Sequence, residues 1–78
     1  MRVRMAREYV TSTSIVWFEF DVQTRMLEIE FISGGVYRYF GVPPTVADEL
    51  RAADSKGRFV NEIIKPRYRC ERVKAPRP

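Results

Sequence analysis

The sequence predicts an α+β fold in which a three-stranded antiparallel meander is followed by two short helices packed on one sheet face. Three observations support this prediction. Apolar and polar residues alternate between residues 15 and 32, glycine and proline pairs then interrupt the chain, and apolar spacing becomes helical after Pro44. Strands followed by helices in a chain of 78 residues indicate one two-layer domain.

The strands are predicted at residues 15–21, 25–32 and 36–42. In the first strand Phe18 and Phe20 share a face with Val16, and Trp17 shares the other face with Ile15 and Glu19. If the phenylalanines face the helices, Trp17 is at least partly exposed on the opposite side. The third strand ends at Pro43-Pro44, because proline cannot donate a hydrogen bond to a neighbouring strand.

Two helices are predicted after the third strand. Pro44 suits the first position of a helix, since its fixed φ matches the helical value. Ser55 is a suitable N-cap for the second helix, and Pro66 ends that helix. The expected core combines one sheet face with the apolar faces of both helices: Phe18, Phe20, Leu27, Ile29, Phe31, Val46, Leu50, Phe59, Ile63 and Ile64.

The net charge of +4 is unevenly distributed along the chain. The charged side chains of residues 1–7 are all basic (Arg2, Arg4 and Arg7), residues 8–56 are mildly acidic, and residues 57–78 are strongly basic. We therefore expect a basic N-terminal arm over residues 1–10, a folded domain over 11–68, and a flexible basic tail over 69–78. Basic ends favour binding to an anionic polymer, although they also keep a small protein soluble.

The composition argues against an enzyme. The chain has no histidine and one cysteine, Cys70, so it lacks an imidazole base, an internal disulfide and the usual zinc ligands. We expect no catalytic residue, no cofactor and no metal ion. The longest apolar run, residues 15–18, is too short for a targeting or membrane-spanning segment, so a cytoplasmic location without membrane contact is expected.

Three segments, residues 27–31, 35–43 and 53–61, together resemble the KTSC domain family, which is named after a C-terminal extension of some lysyl-tRNA synthetases. Tyr37 and Tyr39 match the Tyr-x-Tyr pair of that family, and Val42-Pro43 matches its Val-Pro step. A Ser-x-Gly-Arg-aromatic run is matched by Ser55, Gly57, Arg58 and Phe59. The resemblance covers about residues 12–68. It implies the α+β fold and, through the synthetase connection, RNA binding.

The turn between the second and third strands decides where the two tyrosines point. A three-residue loop, Ser33-Gly34-Gly35, would pair Phe31 with Tyr37, Ile29 with Tyr39, and Glu30 with Arg38, which places the tyrosines on the core side. A two-residue loop or a bulge would instead expose them as an aromatic platform for stacking bases. Charge and composition favour the first register.

Two functions from different classes follow. The first is a non-enzymatic nucleic-acid-binding module, more specifically for RNA, in which aromatic side chains stack on bases and basic side chains contact phosphates. Its candidate residues are Tyr37, Tyr39, Arg58, Lys65, Arg67, Arg69 and Arg72. Arg58 could instead pair with Asp54 or Glu62. The second function is a protein-interaction module that binds a protein partner, or forms a homodimer, through an exposed Trp17.

Overall fold

The protein, described for residues 7–78 by a computed structural model, has one five-stranded antiparallel sheet with the strands in sequence order from edge to edge. Two helices pack on one face of this sheet. The strands are β1 (Glu8–Tyr9), β2 (Ile15–Asp21), β3 (Met26–Phe31), β4 (Val36–Tyr39) and β5 (Cys70–Lys74). The helices are α1 (Pro44–Ala52) and α2 (Lys56–Phe59), and α2 continues into a π-helical turn, Val60–Ile64.

The predicted α+β class and the two helices are confirmed, but the predicted number of strands is wrong. Two short strands lie in segments that the sequence predicted to be an arm and a flexible tail. β1 lies in the N-terminal arm and β5 in the C-terminal tail. Both are edge strands, which are held by backbone pairing with one neighbour and need no apolar alternation. Arg2 and Arg4 of the predicted arm lie outside the described residues.

The predicted register between β3 and β4 is wrong by two residues, but the predicted placement of the two tyrosines on the core side of the sheet is confirmed. Tyr37 lies opposite Ile29, and Tyr39 lies opposite Leu27, so both tyrosines point to the helix-covered side. The shift arises because the three-residue turn lies one residue earlier than predicted: the Phe31 N–H donates to the Gly35 carbonyl at 2.9 Å, which leaves residues 32–34 in the turn. Inside this turn the Gly34 N–H donates to the Phe31 carbonyl at 2.8 Å, and Gly34 has a φ of +94°, which favours glycine.

The prediction that Ile15 faces away from the core is also wrong. Ile15 lies opposite Phe31 while Trp17 lies opposite Glu30, so Val16 forms a bulge in β2. One additional residue in a strand reverses the alternation on either side of it. Ile15 therefore joins Phe18 and Phe20 in the core, and it is fully buried.

The core between sheet and helices contains most of the predicted residues. Six of the residues predicted for the core belong to its buried cluster: Phe18, Phe20, Leu27, Ile29, Leu50 and Ile64. Phe31, Val46 and Phe59 pack against this cluster while partly buried, and Ile63 is half-buried outside it. Further buried members not predicted for the core are Ile15, Tyr39, Val42, Ala47 and Val60.

The predicted N-cap of the second helix is confirmed. The Ser55 hydroxyl accepts a hydrogen bond from the Arg58 backbone N–H at 3.3 Å. Gly57 faces the loop before β2, where a Cβ atom would come within 2.5 Å of the Ser14 hydroxyl, so a larger residue does not fit without a shift. Two of the residues that carry the family resemblance, Ser55 and Gly57, thus position the helix.

Candidate functional site

A cleft of about 510 Å³ lies where the end of the second helix meets the β4–β5 edge of the sheet. Its lining combines aromatic rings, two small polar side chains and one ammonium group: Phe31, Tyr37, Tyr39, Ser33, Cys70 and Lys65. Three of these residues, Tyr37, Tyr39 and Lys65, were predicted as site residues. The fold therefore brings part of the predicted site together in one place.

The aromatic wall of the cleft is formed by Phe31 and Tyr37. Their rings meet edge to face, with centroids 5.7 Å apart and planes at 71°. Both side chains are half-buried, so part of each remains accessible. The Lys65 ammonium lies 5.3 Å from the Phe31 ring centroid, within the range of a cation–π contact. A cation is thereby held at the rim of an aromatic surface.

Tyr39 lies deeper than Tyr37 and is only 2% exposed. Its ring is enclosed in the core, as the favoured register predicted, so the alternative in which this ring stacks on bases loses its support. Burial raises the pKa of the Tyr39 phenol to about 12, and the neighbouring Cys70 thiol and Tyr37 phenol add to this increase. The phenol stays protonated at neutral pH, so its hydroxyl keeps a hydrogen to donate.

Strand β5 forms the outer wall of the cleft. In the β4–β5 register Cys70 lies opposite Tyr39 and Arg72 opposite Tyr37, which places both on the cleft side of the sheet. The chain beyond β5 then crosses the β3–β4 turn, where the Arg77 guanidinium donates to the Ile32 carbonyl at 2.7 Å. The backbone N–H of Arg77 donates to the Ser33 carbonyl at 2.9 Å. The segment predicted to be a flexible tail is thus part of the site.

The turn glycines allow this close approach. A Cβ atom on Gly34 would lie 2.7 Å from the Arg77 guanidinium, and one on Gly35 would lie 3.0 Å from the Tyr37 ring. Because glycine has no side chain, Arg77 can cross the turn while Tyr37 stays beside it.

The other predicted basic residues do not join the cleft as one group. Arg58 is at the opposite end of the helix from Lys65, where it pairs with Glu62 at 3.1 Å, as the alternative interpretation expected. The Arg69 guanidinium lies 5.0 Å from the Phe40 ring centroid. Since Cys70 faces the cleft, alternation directs Arg69 to the other side of the sheet. Arg67 is exposed in the turn before β5.

Trp17 is buried on the sheet face that carries no helix, and its predicted exposure is wrong. Only 4% of it is exposed, and the Arg7 guanidinium covers its ring at 4.1 Å from the centroid. Arg7 also pairs with Glu19 at 3.6 Å. A neighbouring ion pair on the same face joins Arg38 to Glu28 at 2.6 Å.

Sequence reasoning missed Phe31, Ser33 and Cys70 as cleft residues. Phe31 is predicted for the core, Ser33 for the turn and Cys70 for the flexible tail. The signal that could have identified Phe31 and Ser33 was the predicted closeness of Tyr37 to the β3–β4 turn, since any surface formed by Tyr37 must include its neighbours there.

No helix among residues 7–78 is long and apolar enough to cross a lipid bilayer.

The fold and the cleft define a small α+β sheet-and-helix domain with an aromatic site at one sheet edge. The KTSC domain model matches residues 11–68, and the chain belongs to this family. A crystal structure of a KTSC domain protein from Yersinia pestis is 39% identical, with a TM-score of 0.85, and the match covers 88% of this chain and 97% of that one.

Two further relatives differ greatly in length. A protein of Tsukamurella paurometabola is 47% identical over 61 residues, which cover 78% of this chain and 91% of that protein. A lysine–tRNA ligase of Nostoc punctiforme is 45% identical over 56 residues, which cover 72% of this chain but only 10% of the ligase. The family model ends at residue 68, so β5 and Arg77 lie beyond the matched region.

Proposed function

We propose that this protein is a non-enzymatic module that binds single-stranded RNA in the cytoplasm through the cleft beside β5. The observation that carries the proposal is the combination of a partly accessible aromatic wall with the Lys65 ammonium at its rim. Tyr37 and Phe31 supply rings on which bases can stack, and Lys65 supplies a positive charge beside them. Proteins that bind single strands without strong sequence preference use this combination.

The charge around the cleft supports an anionic ligand. Residues 65–78 contain six basic side chains and one acidic side chain. Among the described residues, Lys65, Arg67 and Arg72 form no ion pair with a carboxylate, whereas Arg38 and Arg51 do. Cations without an internal partner are available to phosphate groups, and each phosphate neutralised releases counterions that favour binding.

The shape of the site favours a single strand over a duplex. Stacking on Tyr37 requires a base whose face is not already covered by its neighbours, which unpaired nucleotides provide. The relatives are consistent with RNA as the ligand class, because lysine–tRNA ligase is by its name an enzyme that acts on tRNA.

The alternative function, a protein contact or homodimer through Trp17, loses its main support. It required an exposed indole, but Trp17 is covered by Arg7 and 4% exposed. Two ion pairs, Arg7–Glu19 and Arg38–Glu28, lie on the same face as Trp17.

The test is a titration with single-stranded RNA and with duplex RNA of the same length at several salt concentrations. Three phosphate contacts, from Lys65, Arg67 and Arg72, predict a slope of log K against log salt of about −2 for the single strand. The duplex should bind more weakly. Absence of single-strand binding at low salt would overturn the proposal.

Two variants on the same helix provide a matched comparison. Lys65→Gln removes a charge at the cleft and should reduce the salt slope by about 0.7. Arg58→Gln removes an equal charge at the other end of the helix, where Glu62 already balances it, and should leave the slope unchanged. An equal effect of both variants would indicate binding by overall charge rather than by the cleft.

A further inference from the structure

The Tyr39 hydroxyl is the feature of the cleft that RNA-backbone binding and stacking leave unused. Tyr39 is 2% exposed, it lines the cleft, and among the described residues no protein group forms a hydrogen bond with its hydroxyl. No side-chain nitrogen or oxygen in residues 7–78 is both fully buried and without a partner, so this hydroxyl is reached from the cleft. A tyrosine hydroxyl at such a site normally finds a hydrogen-bond partner.

The polar groups beside this hydroxyl are mainly donors. The Lys65 ammonium only donates, and the phenols of Tyr37 and Tyr39 each carry a hydrogen. The Ser33 hydroxyl is the other oxygen of the lining, and it already accepts a long hydrogen bond from the Gly35 N–H at 3.5 Å. Neither a carboxylate nor a side-chain amide is among the described lining residues. Such a site suits a ligand that presents oxygen acceptors.

We propose that the cleft holds one unstacked nucleobase and prefers the keto bases uracil and guanine over the amino bases cytosine and adenine. Tyr39 is the specificity-determining residue, with its hydroxyl donating to the exocyclic oxygen of the base. This inference rests on the proposed RNA-binding function and adds the ligand's chemical class to it.

The chemistry of the bases supplies the reason for this preference. Uracil and cytosine have the same ring size and differ where one carries a carbonyl oxygen and the other an amino group, and guanine and adenine differ in the same way. The Tyr39 hydroxyl can donate or accept. A base oxygen accepts the phenol hydrogen, whereas an amino group can only donate to the phenol oxygen and leaves the phenol hydrogen without an acceptor.

The experiment uses short RNA strands with an abasic backbone and a single base, which is uracil, cytosine, guanine or adenine. All four carry the same phosphate charge, so differences in affinity report on the base. We expect uracil over cytosine, and guanine over adenine, each by about 3- to 10-fold. Tyr39→Phe should abolish both preferences and leave the affinity for the fully abasic strand unchanged. Tyr9→Phe, at an exposed tyrosine on the opposite sheet edge, is the matched control and should keep both preferences.

Cys70 gives an independent readout, because it is the one cysteine of the chain and it lines the cleft. Strands with a uracil should slow the alkylation of Cys70 more than the abasic strand does.

Equal affinities for uracil and cytosine strands, or preferences that persist in Tyr39→Phe, would overturn this inference. If base-free strands still bind with the expected salt slope in that case, the proposed RNA-binding function stands without base selection. If no strand binds at low salt, both proposals fail together.

Discussion

The two faces of the sheet use their charged and aromatic residues in opposite ways. On the face without helices, Trp17 is covered by Arg7, and Arg38 is paired with Glu28 at 2.6 Å. On the helix-covered face, Tyr37 stays accessible beside Lys65, which has no carboxylate partner among the described residues. On the first face both arginines are paired with carboxylates, whereas the second face keeps positive charge next to an aromatic surface. This difference indicates that large aromatic residues stabilise one face and are available to a ligand on the other.

The proposed difference between the two sheet faces is tested most directly by removing one aromatic residue from each face. Trp17→Ala should lower the free energy of unfolding by about 3–5 kcal/mol, because a buried ring is lost, and leave the RNA affinity of the folded fraction unchanged. Tyr37→Ala should cost only about 1 kcal/mol of stability, since its ring is half-exposed, and should weaken RNA binding by about 5- to 100-fold. Urea denaturation and RNA titration measure the two effects.

Trp17→Phe is the control for a variant too unstable to study, because it keeps a ring beneath Arg7. A Trp17→Phe protein that is fully folded but has lost RNA binding would contradict the division between the two faces.

The next largest effect is expected at Gly57, which anchors the helix that forms one side of the cleft. Gly57→Ala should destabilise the protein by about 1–3 kcal/mol, because the new methyl group would overlap the Ser14 side chain. Ser14→Gly in the same protein removes both clashing atoms and should recover most of that loss. Thermal or urea unfolding of the two single variants and the double variant measures this coupling, and purely additive effects would argue against the contact.

Destabilising β5, which forms the outer wall of the cleft, should have a smaller and more local effect on the free energy of unfolding. Arg77→Ala removes the hydrogen bond to the Ile32 carbonyl and should cost about 1 kcal/mol or less, since that bond is exposed. Hydrogen exchange should become faster for the β5 amides while β2 and β3 keep their protection. Lys74→Ala, at the end of the same strand, is the control. Unchanged exchange in β5 would mean that Arg77 does not hold the wall in place.

The smallest effect is expected at the other sheet edge, where Arg51 of α1 pairs with Glu8 of β1 at 2.6 Å. The hydrogen bond from Arg51 holds the pKa of Glu8 below its ordinary value of 4.5. The pair therefore contributes stability above that ordinary value and loses it as the pH falls through the lower folded value. Because the pair is partly exposed, its contribution is about 1 kcal/mol or less.

Glu8→Gln should accordingly be slightly less stable than the parent at neutral pH and equally stable in strong acid, as measured by urea denaturation. Glu62→Gln, at the exposed Arg58 pair, should show a smaller difference. A difference for Glu8→Gln that persists in strong acid would show that the pairing is not its cause.

The sequence was sufficient for those parts of the fold that depend on side-chain pattern. Phe18, Phe20, Leu27 and Ile29 were placed in the core by alternation alone, and Ser55 was recognised as an N-cap from its residue type and position. Strands β1 and β5 escaped prediction because they are stabilised by backbone hydrogen bonds to β2 and β4, which leave no apolar period in the sequence.

The candidate site was less predictable, because it depends on contacts between distant segments. The side of the sheet for Tyr37 and Tyr39 was predicted correctly, but the depth that separates them was not. The burial of Trp17 depends on Arg7, whose position over the indole follows from β1 pairing with β2. The bulge at Val16 likewise has no signal in the sequence, since bulges reflect the geometry of the paired strands.

The π-helical turn at Val60–Ile64 has a consequence for how this site could change over evolution. The Lys65 N–H donates to the Val60 carbonyl, five residues earlier, at 2.8 Å. Compared with an α-helix, this spacing adds one residue to the turn, and because the turn is wider, each residue advances the chain by a smaller angle. A one-residue deletion here would restore the α-helical hydrogen bond to the Val60 carbonyl and leave Lys65 on the side of the cleft. The position of Lys65 thus tolerates a change in the length of a segment that supplies none of the cleft walls.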